Sequence, residues 1–488
     1  MHFIDQLRSP SIVMKDLLAL TFLLMITKSS MGQTTWKRVF GGLDVDRARK
    51  VIVTQDNGLM VLASTGSFGQ GSTDFYLMKL DLLGNRLWSA LLGTAYLEDP
   101  QDLFETDSGD LFIVGNYAGG GARGYDGLIV RTDASGVMLS QSTYGGPGWD
   151  FLSAIAQQPQ GEAVAVGTTY SWSTIGQGWL LRLDQNGDTL WTRRYSSDHE
   201  VVFRDVESGP NGSMIVCGSV GTADGSKDAL VTLISSSGSV VWWNTYGGQE
   251  DDEAKDIIRT ADGGYSIVGT TQSFAEVIEQ YHFKIDSEGG LLWQRSWGQT
   301  NDQDGNQHLE LSDGRFASIG YVAQGGAGGR DMFLMLNNAN GDFILGQTQG
   351  GGLEDTGVSL VRVEGGYVLC GTTFSYGPGM ADIFLVRTNE VGFTDSDEVI
   401  IEFDPVSMDD RVSLSNVSFI FPNPSTGIIH FDPTSALRVL SVRDPSGRSV
   451  MEVRIPAGQQ EVTLDLPEGI YFIAFGNSPS SRLIIQRP

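Results

Sequence analysis

A phrase of the form Asp-x-x-Gly-x-x-x-Trp, followed a few residues later by Tyr-Gly-Gly, returns along this chain at a nearly constant interval. A fixed internal period constrains a fold more than any local propensity can. The phrase stands whole at Asp81–Trp88, Asp184–Trp191 and Asp286–Trp293. Aligned on the glycine, its tryptophan slot falls at Trp36, Trp88, Ser140, Trp191, Trp242, Trp293, Leu345 and Ser396, always 51 or 52 residues apart.

One period is built of strands and turns alone. In the fifth copy, Asp256–Thr260 reads as a short strand, residues 261–264 as a tight turn, and Tyr265–Thr271 as an alternating strand. After a loop come Tyr281–Asp286, a second Gly turn, and Leu291–Gly298 with its tryptophan. Four short strands joined by Asp/Gly turns, seven times over, predict an all-β chain whose main body is a seven-bladed β-propeller. The ends agree with a closed ring. Trp36–Gly42 is a Trp-strand with no blade before it, and the last copy lacks one, so the first strand completes the last blade and removes a free edge. From the axis outward each blade then runs Asp-led strand, Gly-Gly-Tyr strand, Lys/Arg-x-Asp strand, Trp-strand. Trp36, Trp88, Trp191, Trp242 and Trp293 lie at blade peripheries, where they are expected to wedge neighbouring blades together, worth about 1.5–3 kcal/mol each on full burial.

The repeated phrase is similar to the tryptophan-docking motif of quinoprotein propellers. That resemblance covers the motif only. No adjacent cysteine pair or other break in the repeat would house such a cofactor, so none is expected.

Residues 14–32 have a charged start, an apolar run of about ten residues and small residues at Ser30 and Gly32, which is the pattern of a secretory signal peptide cut before Gln33. This segment fits best if translation begins at Met14, and its run is too short to span a membrane, which takes about 20 residues. Cys217 and Cys370 share one slot in blades three steps apart, too far for a disulfide, and are expected as two separate half-buried thiols. The propeller is thus assigned to residues 33–394.

Residues 395–416 are acidic and lack the repeat, which reads as a linker. Beyond them, residues 417–488 hold about seven short alternating strands with Pro/Gly turns, a small Ig-like β-sandwich. Pro422-Asn423-Pro424 with Gly427, then Asp444 with Gly447 and Arg448, then Gly469-Ile-Tyr471, then a basic residue before a terminal apolar strand, stand in that order. This order resembles the carboxy-terminal sorting domain of type IX secretion cargo from Bacteroidetes. The resemblance implies export by signal peptide, recognition by the type IX translocon, and display at the cell surface or release. Attachment to surface lipopolysaccharide is a further property of such cargo, although members more often finish in a basic strand than in Gln486-Arg-Pro488.

The formal charge is −27, and removing residues 1–32, with three basic and two acidic residues, leaves −28. Nucleic acid and anionic membranes would be repelled. His199, His282, His308 and His430 recur neither with one another nor at a metal-ligand spacing, and nucleophile, zinc-protease and nucleotide-loop motifs are absent. Asp184–Asp188 has the look of a calcium loop but lacks its central glycine and distal Glu, and reads as a hairpin turn. No catalytic or metal-ligating residue is therefore assigned. The loops between second and third strands are long, Gly-rich and aromatic. Phe68, Tyr117, Tyr170, Phe274, Tyr321 and Phe374 are expected to pack on neighbouring blades. The less regular Trp172, Tyr376, Arg123 and Arg330 are the candidates for ligand contact, since aromatic faces stack on sugars and Arg forks carboxylates. The reading is a secreted, non-enzymatic binding or adhesion module for an unidentified glycan or protein. An extracellular hydrolase or lyase acting on carbohydrate, and a structural matrix protein, are the competing classes.

Overall fold

The computed structural model describes residues 35–403, apart from 70, 95, 119–123, 299–301 and 396, and in the carboxy-terminal domain residues 420–421, 428–431, 438–444, 448–459, 461–475 and 481–485. The signal-peptide segment, Arg123, Pro422, Asn423, Pro424, Gly427 and Gly447 lie outside the described residues.

Six sheets of four consecutive antiparallel strands form the first six blades of a seven-bladed β-propeller. The seventh is assembled from both ends of the repeat region. Asp355–Val363, Gly366–Thr373 and Asp382–Asn389 come from the last copy, and Trp36–Gly41 pairs antiparallel on the outside, Trp36 opposite Arg387 and Phe40 opposite Ile383. Closure joins residues some 350 positions apart. The structure adds a strand where composition suggests only linker: Val399–Phe403 lies parallel to the closing strand, Lys37 opposite Val399, with an Arg38–Glu402 ion pair at 2.5 Å. The alternation Val-Ile-Ile-Glu-Phe is itself a strand pattern, and it pairs with the edge that Trp36–Gly41 would otherwise expose.

The repeated phrase acts as a clasp between blades. Asp184 Oδ1 accepts the backbone N–H groups of Asn186 (2.8 Å) and Asp188 (2.9 Å), which closes the turn and pulls its carboxyl below the usual range, chiefly through the Asp188 bond. The turn glycine sits in the left-handed region, φ +84° at Gly238 and +85° at Gly289, which a side chain rarely adopts. That glycine is also a seat for the preceding blade. A Cβ on Gly238 would stand 3.1 Å from the Trp191 ring, one on Gly289 3.2 Å from Trp242, and one on Gly136 2.6 Å from Trp88. Trp36 on Gly84 and Trp293 on Gly341 repeat the contact. Four residues after the tryptophan, on the same strand face, Tyr195 donates its hydroxyl to the Gly238 carbonyl at 3.0 Å, and Tyr246 does the same to Gly289 at 2.7 Å. Where Ser140 replaces tryptophan the tyrosine bond survives, from Tyr144 to Gly187 at 3.2 Å, and in blade six Gln349 serves, bonding Gly392 at 3.2 Å. Trp36 is buried, while the other four are half-buried because they lie on the outer strand.

The innermost strands are longer than the sequence pattern suggests, Asp252–Arg259 in blade five, because each carries a β-bulge. The bulge recurs at one position in all seven blades, for example between Ala48 and Lys50 and between Phe203 and Asp205. The residue opposite is glycine in six blades and Ala63 in the first. A Cβ on Gly269 or Gly218 would overlap the bulged strand's carbonyl oxygen, which accounts for the glycine within the Val-Gly-Thr-Thr stretch of the second strand.

Cys217 and Cys370 are fully buried rather than half-buried, and burial pushes both thiols up. Among the described residues of the carboxy-terminal domain there are two sheets, one of three strands and one of four, around Leu440, Val442, Val462, Tyr471, Ile473 and Ile485.

Deleting residues 34–42 is expected to abolish the cooperative thermal transition of the whole propeller, because the seventh blade loses its outer strand; an unchanged calorimetric melt would overturn the closure. Gly238→Ala is expected to cost about 1–3 kcal/mol by urea denaturation, through backbone strain and the lost tryptophan seat. In a double-mutant cycle with Trp191→Ala the two losses should fall short of their sum, since both break one contact.

Candidate ligand-binding site

Two places gather chemistry-bearing side chains: the axis and the rim of blade three. At the axis, the bulge aims successive residues of the inner strands into a cavity of about 110 Å³ lined by Arg49, Lys50, Asp102, Arg204, Asp205, Lys255 and Asp256 among others. The charges are paired around the ring. Arg49 meets Asp99 (2.7 Å), Lys50 meets Asp102 (2.9 Å), Arg204 meets Glu253 (2.5 Å) and Lys255 meets Asp304 (2.6 Å), each pair crossing to the next blade. The residue after the bulge also accepts a backbone N–H of the next blade: Asp102 from Ile155 (3.0 Å), Asp205 from Ile257 (2.9 Å), Asp256 from His308 (2.9 Å), Gln307 from Leu360 (2.8 Å). Ser359 accepts from Val51 (3.1 Å) across the closure. Burial, with Asp256 beside it, pushes the Asp205 carboxyl well above the usual range. Lys50 is held protonated against burial by the charges of Asp102, Asp205 and Asp256.

Sequence spacing did not reveal that two histidines meet. His308 Nδ1 lies 2.5 Å from Asp256 Oδ2, His308 Nε2 lies 2.9 Å from Ser266 Oγ, and Ser266 Oγ lies 2.8 Å from His282 Nε2. An Asp-His-Ser chain is the arrangement that activates a nucleophilic hydroxyl. Here Ser266 and His282 are wholly buried and His308 nearly so, packed with Trp293 and Phe316 between blades five and six. A substrate cannot reach the hydroxyl. The acids lining the cavity beside it accept backbone N–H groups. The chain is a buried polar core, in which His282 Nδ1 has no hydrogen-bond partner.

The top face carries the second-to-third-strand loops, and there the candidate residues separate. Tyr376 is a packing residue, contrary to the sequence expectation: its ring lies 5.5 Å from Phe384, its hydroxyl donates to the Gly350 carbonyl at 2.7 Å, and burial pushes it up to about 12. It occupies the place of Phe68 on Tyr76 and Phe274 on Tyr281. Arg330 stacks on Tyr321, 4.6 Å from the ring centroid. Trp172 is half exposed, at 50 %, with the Arg194 guanidinium 4.6 Å over its ring. These two line a cleft of about 680 Å³ with Gln177, Trp179, Thr192 and Arg193. Trp179 Nε1 donates to Thr192 Oγ1 at 2.8 Å, which fixes the cleft wall.

Sequence reasoning missed Trp149, which is 57 % exposed on the same rim. Its carbonyl accepts from the Tyr170 N–H at 2.8 Å, Gly148 N–H donates to Ser171 Oγ at 2.9 Å, and Tyr125 meets its ring edge-on at 6.0 Å. The clue was available: Trp149 stands inside Gly-Gly-Pro-Gly-Trp, in a loop where no other copy places tryptophan.

Residues 419–486 match the family described as the secretion system C-terminal sorting domain. No curated protein matches the chain in sequence. Among solved structures, the WD40 domain of Neurospora crassa Pan2 is similar at 11 % identity, TM-score 0.46, over 71 % of this chain and 91 % of that one. The β-propeller domain of the Trilobed protease from Pyrococcus furiosus is similar at 8 % identity, TM-score 0.42, over 73 % and 94 %. An α-L-arabinofuranosidase from Fusarium graminearum is similar at 8 % identity, TM-score 0.41, over 58 % and 93 %. The chain carries a type IX secretion sorting domain, is handled by that machinery, and is a secreted or cell-surface protein. No helix among the described residues is long and apolar enough to cross a membrane.

Burial holds His282 well below the usual histidine range, with the neighbouring His308 adding to the effect. Its folded pKa lies below its unfolded value of about 6.5, so the unfolded chain binds the extra proton and stability falls as pH drops below about 6.5. Urea midpoints at pH 7.5 and 5.5 should show this loss, and His282→Phe should flatten the slope.

Proposed function

We propose that the propeller is an extracellular binding module that holds a saccharide in the cleft of blade three. The observation that carries this reading is the exposed Trp172 face, braced by Arg194, on the wall of a cleft sized for one or two sugar rings, with the exposed Trp149 on the same rim. A large aromatic left half in water costs solvation without contributing to the core, whereas a flat ring beside hydrogen-bonding groups matches the apolar face and hydroxyl edge of a pyranose. Gln177, Thr192 and Arg193 supply the polar contacts. The arginines also suit a sugar that bears a carboxylate or sulfate.

The binding reading is favoured over hydrolysis because the acids that converge at the axis each accept a backbone N–H from the next blade. Export to the cell exterior puts the module where polysaccharides are met.

Trp172→Ala with Trp149→Ala is expected to weaken binding to the glycans retained by the wild-type chain on an array by at least about tenfold, which corresponds to about 1.4 kcal/mol. The melting temperature should move by no more than a few degrees, because exposed loop side chains contribute little to packing. Tyr376→Phe should do the reverse, lowering stability through the lost Gly350 bond with glycan binding intact. Binding that survives the double substitution would remove the site from blade three.

A further inference from the structure

The seam between blades two and three departs from the repeat at several points at once. The outer strand of blade two, Met138–Tyr144, carries Ser140 and Ser142 where other blades carry pairs such as Trp191 and Arg193 or Trp293 and Arg295. Side chains alternate along a strand, so Ser140 and Ser142 share the face of Tyr144, whose hydroxyl bonds the Gly187 carbonyl of blade three. With the tryptophan gone, the clasp at this junction is thinned to that bond and to Arg131. Arg131 stands opposite Ser140 and takes the ring's place on Gly187, its Cδ 3.1 Å from where a Cβ would lie. Six of the strand's seven residues are exposed. On the other side of the seam, the Trp179 ring packs toward Gly127 of blade two and shares its strand face with Arg194, its cross-strand partner.

Two clefts meet this seam. At its upper end is the Trp172 cleft: Gly146, two residues beyond the strand, would carry a Cβ 3.4 Å from the Trp172 ring. At its lower end is a second cleft of about 450 Å³, to which Arg131 belongs together with Gln157, Gln158, Gln160 and Gln185. Gln158 is 3 % exposed; its side-chain oxygen accepts from Arg182 at 3.1 Å, but its Nε2 has no hydrogen-bond partner, nor has Arg131 Nε. A buried N–H without an acceptor costs free energy, and a ligand oxygen that reaches it recovers that cost. The lower edge of the seam is also unlatched. Glu105 accepts the Gln55 N–H of blade one at 2.8 Å, and Glu310 accepts the Ala261 N–H of blade five at 2.7 Å. Gln157 holds the same register in blade three, and among the described residues it makes no such bond.

We propose that this seam is a groove for the interior of a long polysaccharide chain, which enters at the Trp172 cleft and follows the outer strand of blade two down to the glutamine-lined cleft. The groove rests on the saccharide reading of the Trp172 cleft and extends it from one or two sugar rings to an extended polymer. A strand of seven residues spans about 20 Å, farther than a disaccharide reaches, so only a polymer can touch both ends. The chemistry along the path suits a sugar chain: an aromatic face with arginines above, serine hydroxyls in the middle, amides below. Asp107 and Asp110 also line the lower cleft, where they accept hydroxyl hydrogens and repel sulfate or carboxylate, so the polymer is neutral or sparsely charged. The ring forgoes a tryptophan wedge here, a local loss of the kind that proteins keep at functional sites.

The test uses the secreted full-length chain and an array printed with cellulose, laminarin, xylan, mannan and alginate oligosaccharides, from disaccharide to decasaccharide. Affinity within a retained series should rise at least about tenfold between the disaccharide and the octasaccharide and then level off. Ser140→Trp, which restores the repeat's ring at the Gly187 seat, should abolish that gain and leave disaccharide binding unchanged. Gln157→Ala with Gln160→Ala should remove most of the gain while the melting temperature moves by no more than a few degrees, which keeps the test decisive should the new tryptophan fail to seat. Trp172→Ala should weaken every length alike. An affinity that is flat with length, or a gain that both seam variants retain, would overturn the groove and leave the Trp172 cleft standing. An array on which no saccharide of any length binds would overturn the cleft reading and the groove together.

Discussion

Everything in the propeller depends on the clasp by which one blade holds the turn of the next. A four-stranded blade is too small to be stable alone, so its flanks must be buried against neighbours on both sides. The repeat solves this with groups that serve twice. The turn glycine relieves the left-handed backbone of its own blade and is the flat seat for the preceding blade's tryptophan, and its carbonyl receives that blade's tyrosine hydroxyl. The Asp that opens the phrase holds the turn rigid for both. A motif that reads locally as a hairpin is thus half of a contact about fifty residues away, which is why its spacing stays constant while the loops vary.

At the other radial extreme the constraint is crowding. Seven strand ends meet at the axis, and in five blades the residue after the bulge accepts a backbone N–H of the neighbour. In six blades glycine opposite the bulge leaves room for the bend. Because those acceptors are carboxylates, an amide and a hydroxyl, the axis collects polar groups that elsewhere would announce an active site. Their oxygens are already occupied by N–H groups and cations. The buried Asp256–His308–Ser266–His282 chain teaches the same lesson more sharply: distances alone make a catalytic triad, and access decides whether it is one.

What the sequence made legible was whatever the period repeats: the blade count, the strand order, closure by Trp36–Gly41 and the sorting domain. What it hid lies off the period. His282 and His308 face each other from the third strand of one blade and the first strand of the next, a pairing that needs the bulge to set its register. Tyr376 takes the packing role expected of Phe374 because loop residues must be counted back from the third strand: Tyr376 stands six before Asp382, as Phe68 stands six before Asp74. The strand at Val399–Phe403 was masked by acidic flanks, and Trp149 by a loop read only for its glycines.

The two faces of the ring are under different constraints, and this decides where function can arise. The lower face is consumed by the clasp, since a change in any Asp-x-x-Gly turn disturbs two blades. In the upper-face loops, serines such as Ser67, Ser171, Ser273 and Ser375 donate to the Asp that begins the inner strand of their own blade. Such contacts fix loop stems and leave loop tips unspecified. Tips can then acquire a tryptophan, as at Trp149 and Trp172, without loss to the ring. A fold that fixes one face rigidly is in this way free to vary the other.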